Sequence, residues 1–153
     1  MISRLVAYFS YSGSTKGDAE QLAKKLDADL FRITPIEPYT AADVNWQDDN
    51  SRNVREYKDK GSRPELCEQV EELECYDRIY IGYPIWWYTH PRIINTFLES
   101  GDFSGKRIVL FATSSVTGID GSLEELRSTY PQLDIVGGER IGSIADIDRV
   151  AEM

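Results

Sequence analysis

Three near-continuous apolar runs, each about as long as one β-strand, restrict the architectures open to this chain. The runs are RLVAYF (4–9), RIYIGY (78–83) and RIVLFA (107–112). A strand with one face in water alternates apolar and polar residues, whereas an unbroken apolar run is typical of a strand buried on both faces. Such strands form a parallel sheet that is covered by helices. DLFRI (29–33) and DIVGG (134–138) are less apolar, and we expect them at the sheet edges.

Helical patterns alternate with these strands. Apolar residues with helical spacing are Ala19, Leu22, Ala23 and Leu26 in one segment and Leu66, Val70 and Leu73 in another. A helix is also expected between Pro91 and Gly101, because proline favours a first turn and glycine a helix end. Ser122 and Glu125 form a capping-box pattern, and SIADIDRVAEM (143–153) fits a short last helix.

These alternating elements predict five β–α units and one doubly wound α/β domain over residues 1–153. The long polar segment 35–63 interrupts the alternation and carries Tyr39, Trp46 and Tyr57. We expect a helix over about 50–60 that ends at Gly61. The rest of this excursion is expected to lie over one end of the sheet.

The charge and cysteine content narrow the classes of function. A net charge of −9 argues against nucleic-acid binding and favours partner proteins with basic faces, although acidity that only aids solubility explains the charge equally well. No apolar run approaches a membrane span, and MISRLVAYFS lacks the pattern of an export signal. Cys67 and Cys75 are too few for a disulfide scaffold, so we expect a reducing cytoplasm.

The first strand leads directly into SYSGST (10–15), in which serine and threonine surround one glycine. Between a strand and a helix, this composition presents hydroxyls and backbone N–H groups at a helix N-terminus, where the helix dipole favours an anion. A Walker loop ends in Gly-Lys-Ser/Thr and a dinucleotide fingerprint has three spaced glycines, and the loop has neither pattern. The segment therefore predicts a phosphate site, although a serine-rich helix cap without a ligand has the same composition.

The loop GYPIWWYTHP (82–91) follows the third strand and places Trp86 and Trp87 side by side. One tryptophan packs easily into a core, but two adjacent ones at the carboxyl end of a strand are hard to bury. A flat aromatic ligand would pack against one of them. Ligands of open parallel sheets bind beyond the carboxyl ends of the strands, so this loop and SYSGST belong to one candidate site. We interpret His90 as a surface or loop-packing residue, because no nucleophile or metal partner is apparent.

The two loops together resemble those of the flavodoxins. SYSGST is similar to the family's phosphate loop, Ser/Thr-x-Ser/Thr-Gly-x-Thr, and GYPIWW (82–87) is similar to the segment that lies against the flavin ring in bacterial flavodoxin-like proteins. The resemblance implies a flavodoxin-like three-layer sandwich, with a five-stranded parallel sheet of order 2-1-3-4-5 and FMN as the cofactor. The cofactor-binding residues that it implies in these loops are Ser10, Ser12, Gly13, Ser14, Thr15, Pro84, Ile85, Trp86 and Trp87.

The resemblance also covers a third loop, TSSVTGIDGS (113–122), after the fourth strand. It implies that the backbone of this loop runs along the pyrimidine edge of the flavin. The implied binding residues are Thr113, Ser114, Ser115 and Gly118. The loop departs from many electron carriers of the family in two respects. It has Ser115-Val116 where relatives often have glycines, and it lacks the tyrosine that covers the outer face of the flavin.

No catalytic constellation and no metal-ligand spacing appear in the sequence, so the chemistry would belong to the cofactor. We expect a low-potential electron carrier, since the negative charge disfavours an added electron. The alternatives are an FMN-dependent NAD(P)H:quinone-type oxidoreductase and a cofactor-free interaction domain. Pro84 restricts its own φ and that of Tyr83, and no glycine follows it in the loop. Only the peptide groups from Ile85–Trp86 onward are therefore expected to be able to change their orientation.

Overall fold

The computed structural model describes residues 3–114 and 117–153. Strands and helices alternate along the chain, as the sequence predicts. The strands are β1 (Arg4–Tyr8), β2 (Asp29–Arg32), β3 (Arg78–Pro84), β4 (Arg107–Thr113) and β5 (Asp134–Arg140). The α-helices are α1 (Ser14–Leu26), α2 (Arg52–Lys58), α3 (Arg92–Glu99), α4 (Asp120–Thr129) and α5 (Ile144–Glu152).

All five strands pair in parallel, in the order β2-β1-β3-β4-β5. This order confirms the predicted sheet, with the three strongly apolar runs in the centre and the two weaker ones at the edges. The change in winding direction lies between β1 and β3, so the loops after these strands diverge at one edge of the sheet. In open α/β sheets this point is where ligands bind.

Two separate cores cover the faces of the sheet, because successive side chains of a strand point to opposite faces. In β1, Leu5 and Ala7 belong to the core that contains Phe97 of α3 and Leu126 of α4. Val6 and Tyr8 belong to the other core, with α1 and α5 on that side. The result is the predicted helix–sheet–helix sandwich.

The helix predicted from Leu66, Val70 and Leu73 is wrong. Leu66 instead forms an isolated antiparallel bridge with Pro35, and only a short 3-10 helix, Leu73–Cys75, follows. All three apolar side chains still pack against the core on the α3 and α4 side. Their spacing therefore reflects packing along an irregular segment. Cys67 and Cys75 are both exposed free thiols.

The predicted capping box at Ser122 and Glu125 is also wrong. The helix α4 begins at Asp120, so Ser122 lies inside its first turn, fully buried, and no side chain caps the helix. Tertiary hydrogen bonds of Ser122 and Glu125, described below, take the place of the capping interaction.

The excursion over residues 35–63 contains the predicted helix, although α2 ends at Lys58 and not at Gly61. The start of α2 is held by buried Asn53, whose backbone N–H donates to Asp43 O at 2.8 Å and whose side chain donates to Val44 O at 3.2 Å. Within residues 3–114 and 117–153, no helix combines the length and the apolar character needed to cross a bilayer.

Candidate functional site

The three predicted loops meet at the carboxyl edge of the sheet around a cavity of about 480 Å³. The excursion also contributes to its wall. The lining residues are Tyr11 and Ser12 from the first loop, Pro84, Ile85, Trp86, Trp87 and Tyr88 from the second, Thr117 from the third, and Val44, Trp46 and Asn53 from the excursion. Five of the predicted site residues, Ser12, Pro84, Ile85, Trp86 and Trp87, thus line one cavity.

The first loop forms an uncapped helix N-terminus. Gly13 occupies the N-cap position with a φ of 99°, a left-handed conformation that glycine adopts without steric cost, and no side chain caps the helix. The Gly13 N–H donates to Ser10 Oγ at 3.1 Å, which folds the loop. The Ser12 and Ser14 hydroxyls lie 3.4 Å apart on the exposed side. Since the first amides of a helix lack helical acceptors, the loop offers donors to an anion.

The third loop is bound to the first one by a pair of hydroxyls. Thr15 is buried, and its Oγ1 lies 2.7 Å from Thr113 Oγ1. Ser114 donates to Thr117 O at 2.7 Å. These predicted site residues therefore shape the loops, and Gly118 lies beyond the cavity lining, just ahead of α4. Ser115, which the sequence also indicated, lies outside the described residues.

The two tryptophans have different surroundings. Trp86 packs edge-on against Tyr39, with ring centroids 5.1 Å apart, and against Phe9 at 5.6 Å. Trp87 stacks on Tyr57, with centroids 5.8 Å apart and an interplanar angle of 26°, and meets Trp46 edge-on. Sequence reasoning did not assign these excursion aromatics to the site. Their only signal was the presence of aromatic residues in an otherwise polar segment.

Residues 86–89 form a tight hairpin turn in a strained conformation. Trp86 and Thr89 exchange backbone hydrogen bonds of 2.9 and 3.3 Å. Between them, Trp87 and Tyr88 have φ values of 54° and 67°, as in a type I′ turn. Such turns favour Asn-Gly, and a left-handed conformation costs a bulky residue roughly 1–2 kcal/mol. The turn therefore needs support from the surrounding structure.

A buried chain of hydrogen bonds lies behind this turn and includes His90. The histidine is 2% exposed, so its interpretation as a surface residue is wrong, although it does pack behind the loop. Its Nδ1 lies 3.0 Å from Ser122 Oγ and its Nε2 2.8 Å from Asn95 Oδ1. Ser122 Oγ is in turn 2.7 Å from the hydroxyl of buried Tyr83. Asn95 continues the chain by donating to Tyr130 Oη at 3.2 Å.

Which group donates in each of these hydrogen bonds follows from the groups that can only accept. Tyr130 donates its only hydroxyl hydrogen to the Glu99 carboxylate. Asn95 Oδ1 can only accept, so the proton of His90 is on Nε2 and Nδ1 accepts from Ser122. Every donor therefore points away from Tyr83. Burial, only partly opposed by Glu125, lowers the pKa of His90 to about 4, which keeps the ring neutral as this arrangement requires.

Glu125 and Arg92 form a second polar group beside the turn. Arg92 is buried, and its Nη1 donates to Glu125 Oε1 at 3.0 Å. The Thr89 hydroxyl donates to Glu125 Oε2 in a short hydrogen bond. Partial burial of Glu125 acts to raise its pKa, but the hydrogen bond from Thr89, together with the charge and the hydrogen bond of Arg92, outweighs burial and lowers the pKa. Glu125 is therefore ionised at neutral pH.

The cavity has the features of a site for a ligand that joins an anion to a flat ring. The uncapped start of α1 supplies donors at one end, and the tryptophans supply an aromatic surface. Trp87 Nε1 is buried and has no hydrogen-bond partner in the described part of the chain. Buried polar atoms are rarely left unpaired without reason. The residues present therefore fit a flavin mononucleotide.

Comparison with known proteins identifies the family to which this fold and cavity belong. Residues 3–152 match the model of a family described as Flavodoxin. The chain belongs to the flavodoxin family. No curated protein matches the sequence.

Solved structures agree with this assignment. A protein from Bacteroides eggerthii described as a flavoprotein is 41% identical, with a TM-score of 0.94 over 98% of this chain and 94% of that one. A second, from Bacteroides uniformis, is 44% identical, with a TM-score of 0.91 over 99% and 96%. A Lactobacillus acidophilus flavoprotein in complex with FMN is 23% identical, with a TM-score of 0.80 over 99% of both chains, and at that identity the likeness concerns the fold.

Proposed function

We propose that this chain binds FMN in the 480 Å³ cavity and acts as a low-potential electron carrier in the cytoplasm. The observation that carries the proposal is the meeting of all three flavodoxin-like loops around one cavity. The uncapped start of α1 faces one end of it and the tryptophan pair lines another part. The likeness to a flavoprotein solved with FMN supports the choice of ligand.

In this proposal the residues of the first loop have two roles, binding the phosphate and holding the conformation of the loop. Backbone amides from Ser12 to Thr15 and the hydroxyls of Ser12 and Ser14 hold the phosphate. Ser10 and Thr15 also shape the loop, because Ser10 Oγ accepts from the Gly13 N–H and the Thr15 hydroxyl pairs with that of Thr113. Hydrogen bonds to a charged group contribute roughly 1.5–3 kcal/mol each. The bound flavin would supply the redox chemistry, and the protein would supply binding and charge.

The net charge of −9 supports redox partners with basic faces, since complementary charge steers association between proteins. Negative charge near the ring also makes an added electron less favourable. We therefore infer a low reduction potential that rises with salt, because salt screens the carboxylates.

The ligand is tested by calorimetric titration of apoprotein with FMN and with riboflavin, which lacks the phosphate. In the double variant Ser12→Ala/Ser14→Ala we expect FMN affinity to fall at least tenfold, as the loss of two charge-assisted hydrogen bonds implies. Riboflavin affinity should change less than twofold. Equal losses for both ligands would show that the loop does not bind the phosphate, and no binding of FMN by the wild type would refute the proposal.

One observation favours the oxidoreductase alternative. A second cavity of about 720 Å³ lies on the other side of the 86–89 turn, with Trp87 and Tyr88 in both linings. Its charged lining residues are the cations Lys58, Lys60, Arg63 and Arg92 and the carboxylates Glu124 and Glu125, and this excess of positive charge suits a negatively charged substrate. Photoreduction followed by absorbance, with an assay of NADPH oxidation in the presence of a quinone, separates the two functions. Separable one-electron steps without turnover support the carrier, and rapid turnover supports the enzyme.

A further inference from the structure

The stack of Trp87 on Tyr57 forms part of the partition between the two cavities. Trp87 belongs to the strained turn after β3, whereas Tyr57 belongs to α2 in the excursion. Their rings are 5.8 Å apart and nearly parallel. Because these residues come from separate segments, further interactions must fix the distance between the turn and α2. A stacked pair alone contributes only about 0.5–1.5 kcal/mol beyond the burial of its area, which is comparable to the strain in the turn.

Arg92 holds the α2 side of the stack. Its Nε donates to Glu56 O at 3.2 Å and its Nη2 to Tyr57 O at 2.8 Å. These carbonyls lie in the last turn of α2, where a helix has no N–H donors of its own to offer them. The guanidinium also lies 5.9 Å from the centroid of the Tyr57 ring. Arg92 thus fixes both the backbone and the ring of the same residue.

Glu125 joins Arg92 to the turn. One carboxylate oxygen accepts from Arg92, at 3.0 Å, and the other accepts from the hydroxyl of Thr89, which closes the turn. The same helix, α4, approaches the turn closely at Gly121, where a Cβ atom would lie 2.9 Å from Tyr88 O. One ionised side chain therefore bonds to both sides of the stack, and its helix packs directly on the turn.

We propose that Glu125 is a positioning residue that clamps the strained turn to α2 and so holds Trp87 on Tyr57 at the wall of the ligand cavity. It does not itself line the 480 Å³ cavity. Its effect on flavin affinity rests on the proposed function, whereas its effect on the aromatic stack does not.

The decisive variant is Glu125→Gln, and Glu124→Gln is its matched control. A glutamine is uncharged and has one acceptor oxygen and an NH₂ donor, so buried Arg92 loses its counter-charge, and the Thr89 hydroxyl must turn from donor to acceptor to stay bonded. Glu124 is the exposed neighbour on the same helix, and its substitution removes the same charge. Near-ultraviolet circular dichroism of the apoprotein reports the coupled rings. We expect Glu125→Gln to lose about half or more of the tryptophan signal, as expected if most molecules release the stack, and Glu124→Gln to keep it.

Ligand affinity gives the second readout. In Glu125→Gln, FMN and riboflavin should both bind about tenfold more weakly, because the change acts on the ring side and not on the phosphate. Full retention of the circular dichroism signal in Glu125→Gln, or an equal loss in Glu124→Gln, would overturn the proposal.

Thr89→Val provides a check that is independent of Arg92, because it removes the hydroxyl that joins the turn to Glu125 and that also lies 3.1 Å from His90 Nδ1. It should lower the same circular dichroism signal, and it decides the matter if Glu125→Gln does not fold. An unchanged signal in Thr89→Val would count against the clamp. If the wild type binds no FMN, the proposed function fails and the circular dichroism comparison alone decides this inference.

Discussion

The phosphate side and the aromatic side of the candidate site are built in opposite ways. The described hydrogen bonds of residues 10–14 are to near neighbours in sequence, with Gly13 bonded to Ser10 three residues away, and the distant partner of this loop, Thr113, is bonded to its last residue, Thr15. The turn 86–89 is held by partners far along the chain, since Glu125 lies 36 residues from Thr89. A local loop can keep its shape when distant parts change, whereas a turn with distant supports responds to substitutions in several elements. The following experiments test this difference.

The largest effect should come from Ser122→Ala, which removes a support of the aromatic side. The variant leaves the Tyr83 hydroxyl without its acceptor and His90 Nδ1 without its donor, both in the core. Each unpaired buried group costs about 1–3 kcal/mol, so we expect the free energy of unfolding to fall by roughly 2–4 kcal/mol. Urea denaturation measures it. Ser128→Ala, an exposed site on the same helix, should change it by less than about 0.5 kcal/mol. Similar losses for both would contradict the network.

The second effect is a dependence of stability on pH. The pKa of His90 is about 4 in the folded chain and near 6.5 when unperturbed, so between these values the unfolded chain binds a proton that the folded chain does not. Stability is therefore lost as the pH falls through this range, by on the order of 1–3 kcal/mol. We expect His90→Gln to have a flatter profile between pH 6.5 and 5. Parallel profiles for the variant and the wild type would argue against a neutral buried histidine.

A smaller effect is expected from Gly13→Ala, on the phosphate side. A Cβ atom at Gly13 would meet nothing within 4 Å, so the only cost is the φ of 99°, which is about 1–2 kcal/mol for alanine. Gly17→Ala lies in the same helix and also meets nothing within 4 Å. It should increase the free energy of unfolding by about 0.5–1 kcal/mol, because alanine is the better helix former. Thermal denaturation should show that the free energy of unfolding falls in Gly13→Ala and rises in Gly17→Ala. A change in the same direction in both variants would contradict the assigned conformation of Gly13.

The smallest effect, about 1 kcal/mol, should be a gain in stability from Tyr88→Gly. Glycine adopts the φ of 67° at this position without strain, and the tyrosine is 70% exposed, so little packing is lost. Chemical denaturation of the apoprotein measures the gain. The matched variant Tyr11→Gly lacks this positive φ and should not be stabilised. A loss of stability in Tyr88→Gly would show that the tyrosine makes a contribution larger than its strain.

The sequence predicted the sheet well because its signal is local. Apolar runs such as 78–83 and 107–112 indicate strands buried on both faces, and this burial follows directly from helices on both sides. The helix at 66–73 was wrong because three apolar residues at helical spacing can equally pack along an extended segment. Ser122 and Glu125 fitted a capping box, but their partners are far along the chain, and such contacts leave no local pattern.

The candidate site was predictable only in part for the same reason. The loops 10–15 and 82–91 carry their own composition signals. The positions of Tyr57 and Trp46 against Trp87 depend on how the 29-residue polar segment 35–63 folds over the sheet, and side-chain spacing does not determine that. An ordinary connection has only about 4–6 residues. The strained turn was not predicted either, because the absence of glycine pointed away from a positive φ at Trp87 and Tyr88.

Because of where the tryptophans lie, their fluorescence can be used to follow one particular step of folding. The chain has three tryptophans, and Trp46, Trp86 and Trp87 all line the same cavity. Intrinsic emission at tryptophan wavelengths therefore reports on this one place, while far-ultraviolet signals report on the helices and the sheet. Contacts between residues distant in sequence require the closure of long loops, which slows their formation. In a stopped-flow experiment, the emission therefore follows the assembly of the cavity wall as an event separate from the appearance of secondary structure.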